Sequence, residues 1–338
     1  MQIIYTYLIL TLLFFSGASL KSQTVYDAQY LASHPRIYTQ RHSFWFEGNV
    51  NFDLSKSKRW QFQMDYQYRR CSDPSYIAGG QTNNIFKDPF QQVFRPWLHY
   101  WIKPGAVRFS LSPLGYWISW VNGDEAKIYA PTQGNSGKYG AVVFPEFRVT
   151  PQITTVQKFG RIEYFNRFRY EFRFVGQRTL SNENASDFGK GDNFSPNTPG
   201  DPLNDSTGIS KSQRLRWQVR LQVPLTKDSR KNQIYINAWN EVFLSFGKYV
   251  GTSKILNQNR TVLMLGYKVQ GKIPVKIEVG VTEQVLFAYN IKTPPTQPST
   301  VNYNKQNVEL NTALQVYLIF DSFQNLFKKK DKPIEAIK

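Results

Sequence analysis

Residues 161–174 read RIEYFNRFRYEFRF. Alternate positions carry Arg161, Glu163, Arg167, Arg169, Glu171 and Arg173, interrupted only by Phe165. The complementary positions carry Ile162, Tyr164, Phe168, Tyr170, Phe172 and Phe174, interrupted only by Asn166. Successive side chains of a β-strand point to opposite faces. This segment therefore predicts one strand with a charged face and an aromatic face. Its length exceeds the roughly 5–6 residues of an ordinary soluble strand. A fixed row of Arg and Glu backed by rings suits a strand with lipid outside and a polar lumen inside.

The same alternation recurs along the chain. Residues 42–54 set Phe44, Phe46, Val50, Phe52 and Leu54 against Trp45, Glu47, Asn49, Asn51 and Asp53. After the turn Ser55-Lys56-Ser57-Lys58, residues 60–69 set Trp60, Phe62, Met64, Tyr66 and Tyr68 against Gln61, Gln63, Asp65, Gln67 and Arg69. Two matched runs with a short polar link are a hairpin signal. Further runs fall at 92–102, 106–120, 142–156, 211–225, 233–246, 259–270, 274–289 and 307–320. Pro96 and Pro113 interrupt the first two of these. Counting 161–174, eleven runs emerge, long enough for tilted membrane-crossing strands.

Short links alternate with long, Asn-, Asp-, Gly- and Pro-rich ones, as in outer-membrane barrels. Such barrels place both chain ends in the periplasm, which requires an even strand count. A further strand is therefore expected within 24–41. The fold expected is all-β: a transmembrane antiparallel up-and-down barrel of about twelve strands. Trp45, Trp60, Trp101, Trp120 and Trp217 are expected near strand ends or facing outward, in interfacial girdles.

Composition agrees with this class. Hydrophobic residues make up 41% of the 338, and mean hydropathy is −0.46. No apolar run in the body reaches the roughly 18 residues of a transmembrane helix. Only helices and closed barrels span lipid, so a membrane protein of this composition must be a barrel. The alternative is a soluble all-β sandwich or lipocalin-like barrel. Residues 3–15, IIYTYLILTLLFF, precede Ser16-Gly17-Ala18-Ser19 and read as the core of a secretory signal peptide. The expected division is a signal peptide at 1–22, a barrel at 23–320 and a basic tail at 321–338. Cys71 stands alone, so no internal disulfide can brace an exported chain.

The net charge of +18 raises the question of nucleic acid. Binders of that kind concentrate Lys and Arg on a patch or helix. Here the Arg alternates along strands with Glu in the same row, which suits a solvated cationic interior and no nucleic-acid partner. The ladder expected inside comprises Glu146, Arg148, Glu163, Arg167, Arg169, Glu171, Arg173, Arg214, Arg216, Arg220, Glu241, Arg260 and Glu278. Confined charges must pair or stay hydrated. The ladder is first a pairing network that rigidifies a narrow barrel, and second an Arg-lined path for small anionic solutes.

Catalytic and cofactor chemistry finds little purchase. Neither a Gly-x-Ser-x-Gly elbow nor a His-Glu-x-x-His pair occurs. His42 and Ser43 adjoin on a strand and so face apart. His99 with Ser110 or Ser112 is the one pairing that a lipid-modifying enzyme could use, and it would have to lie on the outer face. Glu183, Asp187, Asp192, Asp201 and Asp205 share a loop, but their spacing matches no calcium motif. The expectation is a non-enzymatic barrel with no cofactor and no metal, in contact with outer-membrane lipid.

Several segments carry a family resemblance: Leu-Ser-Lys-Ser-Lys-Arg-Trp (54–60), Gln-Tyr-Arg (67–69), Pro-Glu-Phe-Arg (145–148), Arg-Phe-Arg-Tyr-Glu-Phe-Arg (167–173), Arg-Leu-Arg-Trp-Gln-Val-Arg (214–220), Trp-Asn-Glu-Val-Phe (239–243) and Asn-Gln-Asn-Arg (257–260). Over roughly 40–320 the chain resembles the bacterial family catalogued as domain of unknown function 2490. That resemblance implies an outer-membrane barrel and supplies no substrate or catalytic residue.

Overall fold

The computed structural model describes residues 36–75, 80–121, 142–176, 178–179, 209–227, 232–246, 255–289 and 306–327. Strands occur at β1 (Arg36–Asp53), β2 (Trp60–Cys71), β3 (Asp88–Lys103), β4 (Val107–Val121), β5 (Val142–Phe159), β6 (Ile162–Gly176), β7 (Arg178–Thr179), β8 (Ile209–Pro224), β9 (Gln233–Phe246), β10 (Leu256–Val269), β11 (Val275–Tyr289) and β12 (Gln306–Phe320). β7 is a two-residue stub that continues the β6 side of β5, pairing with Val142 and Val143. Each of the eleven alternating runs in the sequence coincides with one long strand.

Chain neighbours pair antiparallel around the sheet, from β1–β2 through β4–β5 to β11–β12. β1 then pairs with β12 and closes the ring. That last pair is parallel, with Arg36 opposite Gln306 and Val50 opposite Phe320. Parity is the reason: with eleven long strands, the first and last run the same way.

Two expectations are corrected here. No strand precedes β1 among the described residues, and both edges of β1 are already taken, by β2 and β12. Residues 36–41, within the segment assigned to a twelfth strand, instead lengthen β1 to 18 residues. The chain therefore enters β1 at the rim opposite the one where β12 ends, not at the same rim.

The rim at which β12 ends also holds the five short turns. Two are sharp enough to need positive φ at glycine, Gly105 at 70° and Gly160 at 60°. A 3-10 turn at Phe323–Leu326 docks on this rim. Asp53 accepts hydrogen bonds there from Ser322 (2.8 Å) and Gln324 (3.0 Å). Phe323 packs 5.6 Å from Phe52 and 6.0 Å from Phe320. Residues 1–35 and 328–338, which hold the expected signal peptide and Lys328-Lys329-Lys330, lie outside the described residues, as does the acidic segment 183–205.

Candidate functional site

The wall is inverted relative to a soluble protein. Outward side chains are apolar and exposed: Leu265 at 58%, Leu263 at 50%, Phe168 at 45%, with Phe147, Phe172 and Val281 alike. Inward side chains are polar and covered, Glu171 at 0% and Glu241 at 1% exposure. Trp60 and Trp217 face out as expected. Trp101 stands near the end of β3, as expected, but turns toward the lumen, and Trp45 is buried beneath arginines in the body of β1.

Four neighbouring strands, β5, β6, β8 and β9, carry a continuous ion-pair network. Glu146 accepts two bonds from Arg148 (2.6 and 2.8 Å) and two from Arg173 (2.5 and 3.1 Å). Glu171 accepts from Arg148 (3.4 Å), Arg214 (2.7 Å) and Arg216 (2.8 Å). Glu241 accepts two bonds from Arg216 (3.1 and 2.7 Å) and one from Arg167 (2.8 Å). The two-pronged contacts use the planar guanidinium fork, which matches a carboxylate edge. Three carboxylates thus serve five arginines, and the network keeps a net positive charge.

The rest of the expected ladder also faces inward but pairs differently. Arg169 donates twice to Gln152 (2.9 and 2.7 Å). Glu163 sits toward the short-turn rim with Lys158 at 3.1 Å. Glu278 accepts from Tyr235 (2.7 Å) and Asn237 (3.2 Å) and, among the described residues, is not ion-paired to an arginine. Tyr235 reaches it by lying flat across Gly266, where an added Cβ would overlap the ring. Arg260 lies over the Trp45 and Phe243 rings (4.8 and 5.2 Å).

Ring faces are the second means of holding charge here. Arg69 lies 4.1 Å from the Trp45 centroid, Arg148 3.9 Å from Trp117, Arg169 4.8 Å from Trp97 and Arg220 3.9 Å from Phe165. Phe165, the one break in the charged row of β6, therefore faces the lumen and carries an arginine from β8. Cation–π contact orients a guanidinium without neutralising it.

The lumen holds two adjoining cavities of about 680 and 510 Å³. Arg108, Arg167, Gln218 and Arg220 line both, so they form the waist between them. Eleven arginines against five carboxylates border the larger cavity. The smaller one, toward the short-turn rim, has seven Lys or Arg and a single acid, Glu163.

The family described as "Protein of unknown function (DUF2490)" matches residues 42–291. The chain belongs to that family. No curated protein and no solved structure matches it. In this DUF2490 member the matched span covers β2 to β11, including every residue of the ion-pair network.

Several inward charges in the first third of the DUF2490 barrel stand outside the expected ladder, although Asp65 and Arg69 already fell on the polar face of their run. Asp65 and Arg95 form a buried pair across β2 and β3 (Arg95 Nε to Oδ2, 2.7 Å). Arg69 and Arg108 also face the lumen. Charges are sparse in these strands and stand among Gln, Ser and Trp, so the pattern is weaker. His99 and Ser110 do meet, Nδ1 to Oγ at 2.7 Å, with Gln63 on Nε2 at 3.0 Å. Both turn into the lumen and are buried, not onto the outer face that a lipid-modifying site requires. Among the described residues no cluster of His, Cys, Asp or Glu gathers as a metal site.

Proposed function

We propose that this chain is an integral outer-membrane β-barrel, exported through its N-terminal leader, that forms a narrow pore favouring small anions. The observation that carries the reading is the inversion of the wall. A belt of exposed Leu, Val and Phe encloses buried Arg and Glu, which is stable with hydrocarbon outside and water inside. The excess of Arg over carboxylate around both cavities favours anions over cations. A closed lumen is the second reading, favoured by the two-pronged contacts that fill the β5–β9 side; the long links between strands would then be the working surface. No catalytic step is proposed.

Membrane fractionation with heat-modifiable gel migration tests the barrel, and a soluble periplasmic protein with no shift would overturn it. Conductance across a planar bilayer tests the pore: small, anion-selective steps are expected. Neutralising Arg169 and Arg220 should lower the selectivity. Folded barrels that pass no current would leave the closed reading.

A further inference from the structure

The waist brings together three arginines from three strands: Arg108 on β4, Arg167 on β6 and Arg220 on β8. Each has a buried Nε that meets no acceptor among the described residues. Among the described residues, Arg108 and Arg220 have no carboxylate within ion-pair distance. Arg167 has only Glu241, whose oxygens are already engaged by Arg216. Glu278 acts on Arg220 only through space, outside ion-pair distance, and its oxygens accept from Tyr235 and Asn237. Two of the guanidiniums rest on rings instead, Arg108 at 5.3 Å from Trp101 and Arg220 at 3.9 Å from Phe165. Rings fix the direction of these groups and leave their charge uncompensated. On the short-turn side the approach is also cationic, with Lys158, Lys268 and Lys276 lining the smaller cavity.

Buried guanidinium N–H groups without acceptors are costly, and three like charges repel. Water can hydrate them, but a ligand with several acceptor oxygens and two negative charges satisfies both deficits together. Chloride offers charge without directed acceptors. A single carboxylate offers one charge where two arginines are unpaired. We infer that the Arg108–Arg167–Arg220 waist is a binding site for a compact, doubly charged oxyanion of the phosphate type. The waist faces the lumen, so its ligand is a solute and not a lipid headgroup. The inference rests on the reading that the lumen admits small anions.

Titration calorimetry with inorganic phosphate, on the full-length barrel folded in detergent, tests the site independently of any current. Phosphate and sulfate should bind more tightly than chloride and acetate at equal ionic strength. Arg108→Gln and Arg220→Gln should each weaken phosphate by about tenfold or more, the loss expected for a charge-assisted hydrogen bond. Gel migration confirms that the variants fold. On the wild type, phosphate should protect Arg108 and Arg220 from an arginine-specific dicarbonyl reagent, read by mass spectrometry. Equal binding of chloride and phosphate, no protection, or an equal loss in Arg69→Gln on the other side of the lumen would overturn the site and leave only a diffuse field. Phosphate binding by a barrel that conducts nothing would keep the site and remove the pore. Anion-selective current without phosphate binding would do the reverse.

Discussion

Glu171→Gln removes one charge from the most enclosed position in the network and leaves the side chain's shape intact. The wild-type carboxylate is fully buried and touches Arg148, Arg214 and Arg216. In the variant Arg148 keeps Glu146 and Arg216 keeps Glu241, while Arg214 keeps no carboxylate among the described residues. Breaking a buried ion pair from one side costs about 3–5 kcal/mol. The lower end applies, because one of three cations is orphaned, so about 3 kcal/mol is expected. At an unfolding slope of about 3 kcal/mol per molar urea, the midpoint should fall by about 1 M. Tryptophan fluorescence of the barrel in lipid vesicles during urea titration measures it. Adding Arg214→Met removes the orphaned charge, so the double variant should lose less than the sum of the singles. High salt should not rescue Glu171→Gln, since the cluster is shielded from solvent; exposed pairs such as Lys158–Glu163 should weaken instead. A loss under about 1 kcal/mol, or strict additivity with Arg214→Met, would refute the view that the network braces the wall.

Three other outcomes follow from the geometry. In a Cys71→Ser background, Phe44→Cys/Leu314→Cys and Phe46→Cys/Val316→Cys should both cross-link on oxidation; an antiparallel seam could not bring both pairs together. Gly266→Val should displace the Tyr235 ring and break its bond to Glu278, costing about 1–3 kcal/mol. Gly271→Ala, where an added Cβ meets nothing closer than 3.6 Å, should stay within about 0.5 kcal/mol in the same urea titration. Lys87, in the link between β2 and β3, is bonded to both oxygens of Asp73 at 2.6 Å. Burial acts to lower its pKa, but the bond to Asp73 and the charges of Asp88 and Asp73 outweigh it and raise the pKa above the ordinary 10.5. Its stabilisation is thus complete below pH 10.5 and fades as pH rises through the raised value. The stability gap between wild type and Lys87→Met should therefore persist at neutral pH and close in strong alkali; a gap independent of pH would sink the assignment.

The sequence alone located all eleven long strands and the inward register of the β5–β9 ladder, because a period of two sustained over a whole strand admits one reading. The twelfth strand came from a parity rule, not from a pattern. Residues 24–41 show no alternation comparable to 161–174, and residues 36–41 belong to β1. Pro96 and Pro113 weakened the β3–β4 reading for a local reason. Both fall in the irregular stretch where the register slips between Phe94/Leu98 on β3 and Ser112/Gly115 on β4. Proline is tolerated at such bulges because no ladder hydrogen bond is needed there. Trp45 shares the polar register of Glu47 and Asn49, yet it is expected in an interfacial girdle, because tryptophan suits both a lipid interface and the underside of an arginine. The partner that decides between them, Arg69, lies on the adjacent strand, at a distance in sequence that composition cannot reveal.

That ambiguity bears on what the lumen is built to do. A narrow interior that needed only rigidity could match each arginine with a carboxylate, as Glu146 does for Arg148 and Arg173. Instead Trp45 and Phe243 stand beneath Arg260, Trp97 beneath Arg169, Trp101 beneath Arg108 and Phe165 beneath Arg220. A carboxylate holds an arginine by cancelling its charge, whereas a ring holds it and leaves the charge available. The β5–β9 side uses mostly the first device and is braced. The waist and the β1–β4 side use more of the second and keep a fixed positive potential facing the cavities. Phe165→Glu separates the two roles within one strand. It would give Arg220 a carboxylate partner, should hold or raise stability in the urea titration, and should lower anion selectivity and phosphate affinity together. Unchanged selectivity in a stable Phe165→Glu barrel would mean that the ring serves packing alone.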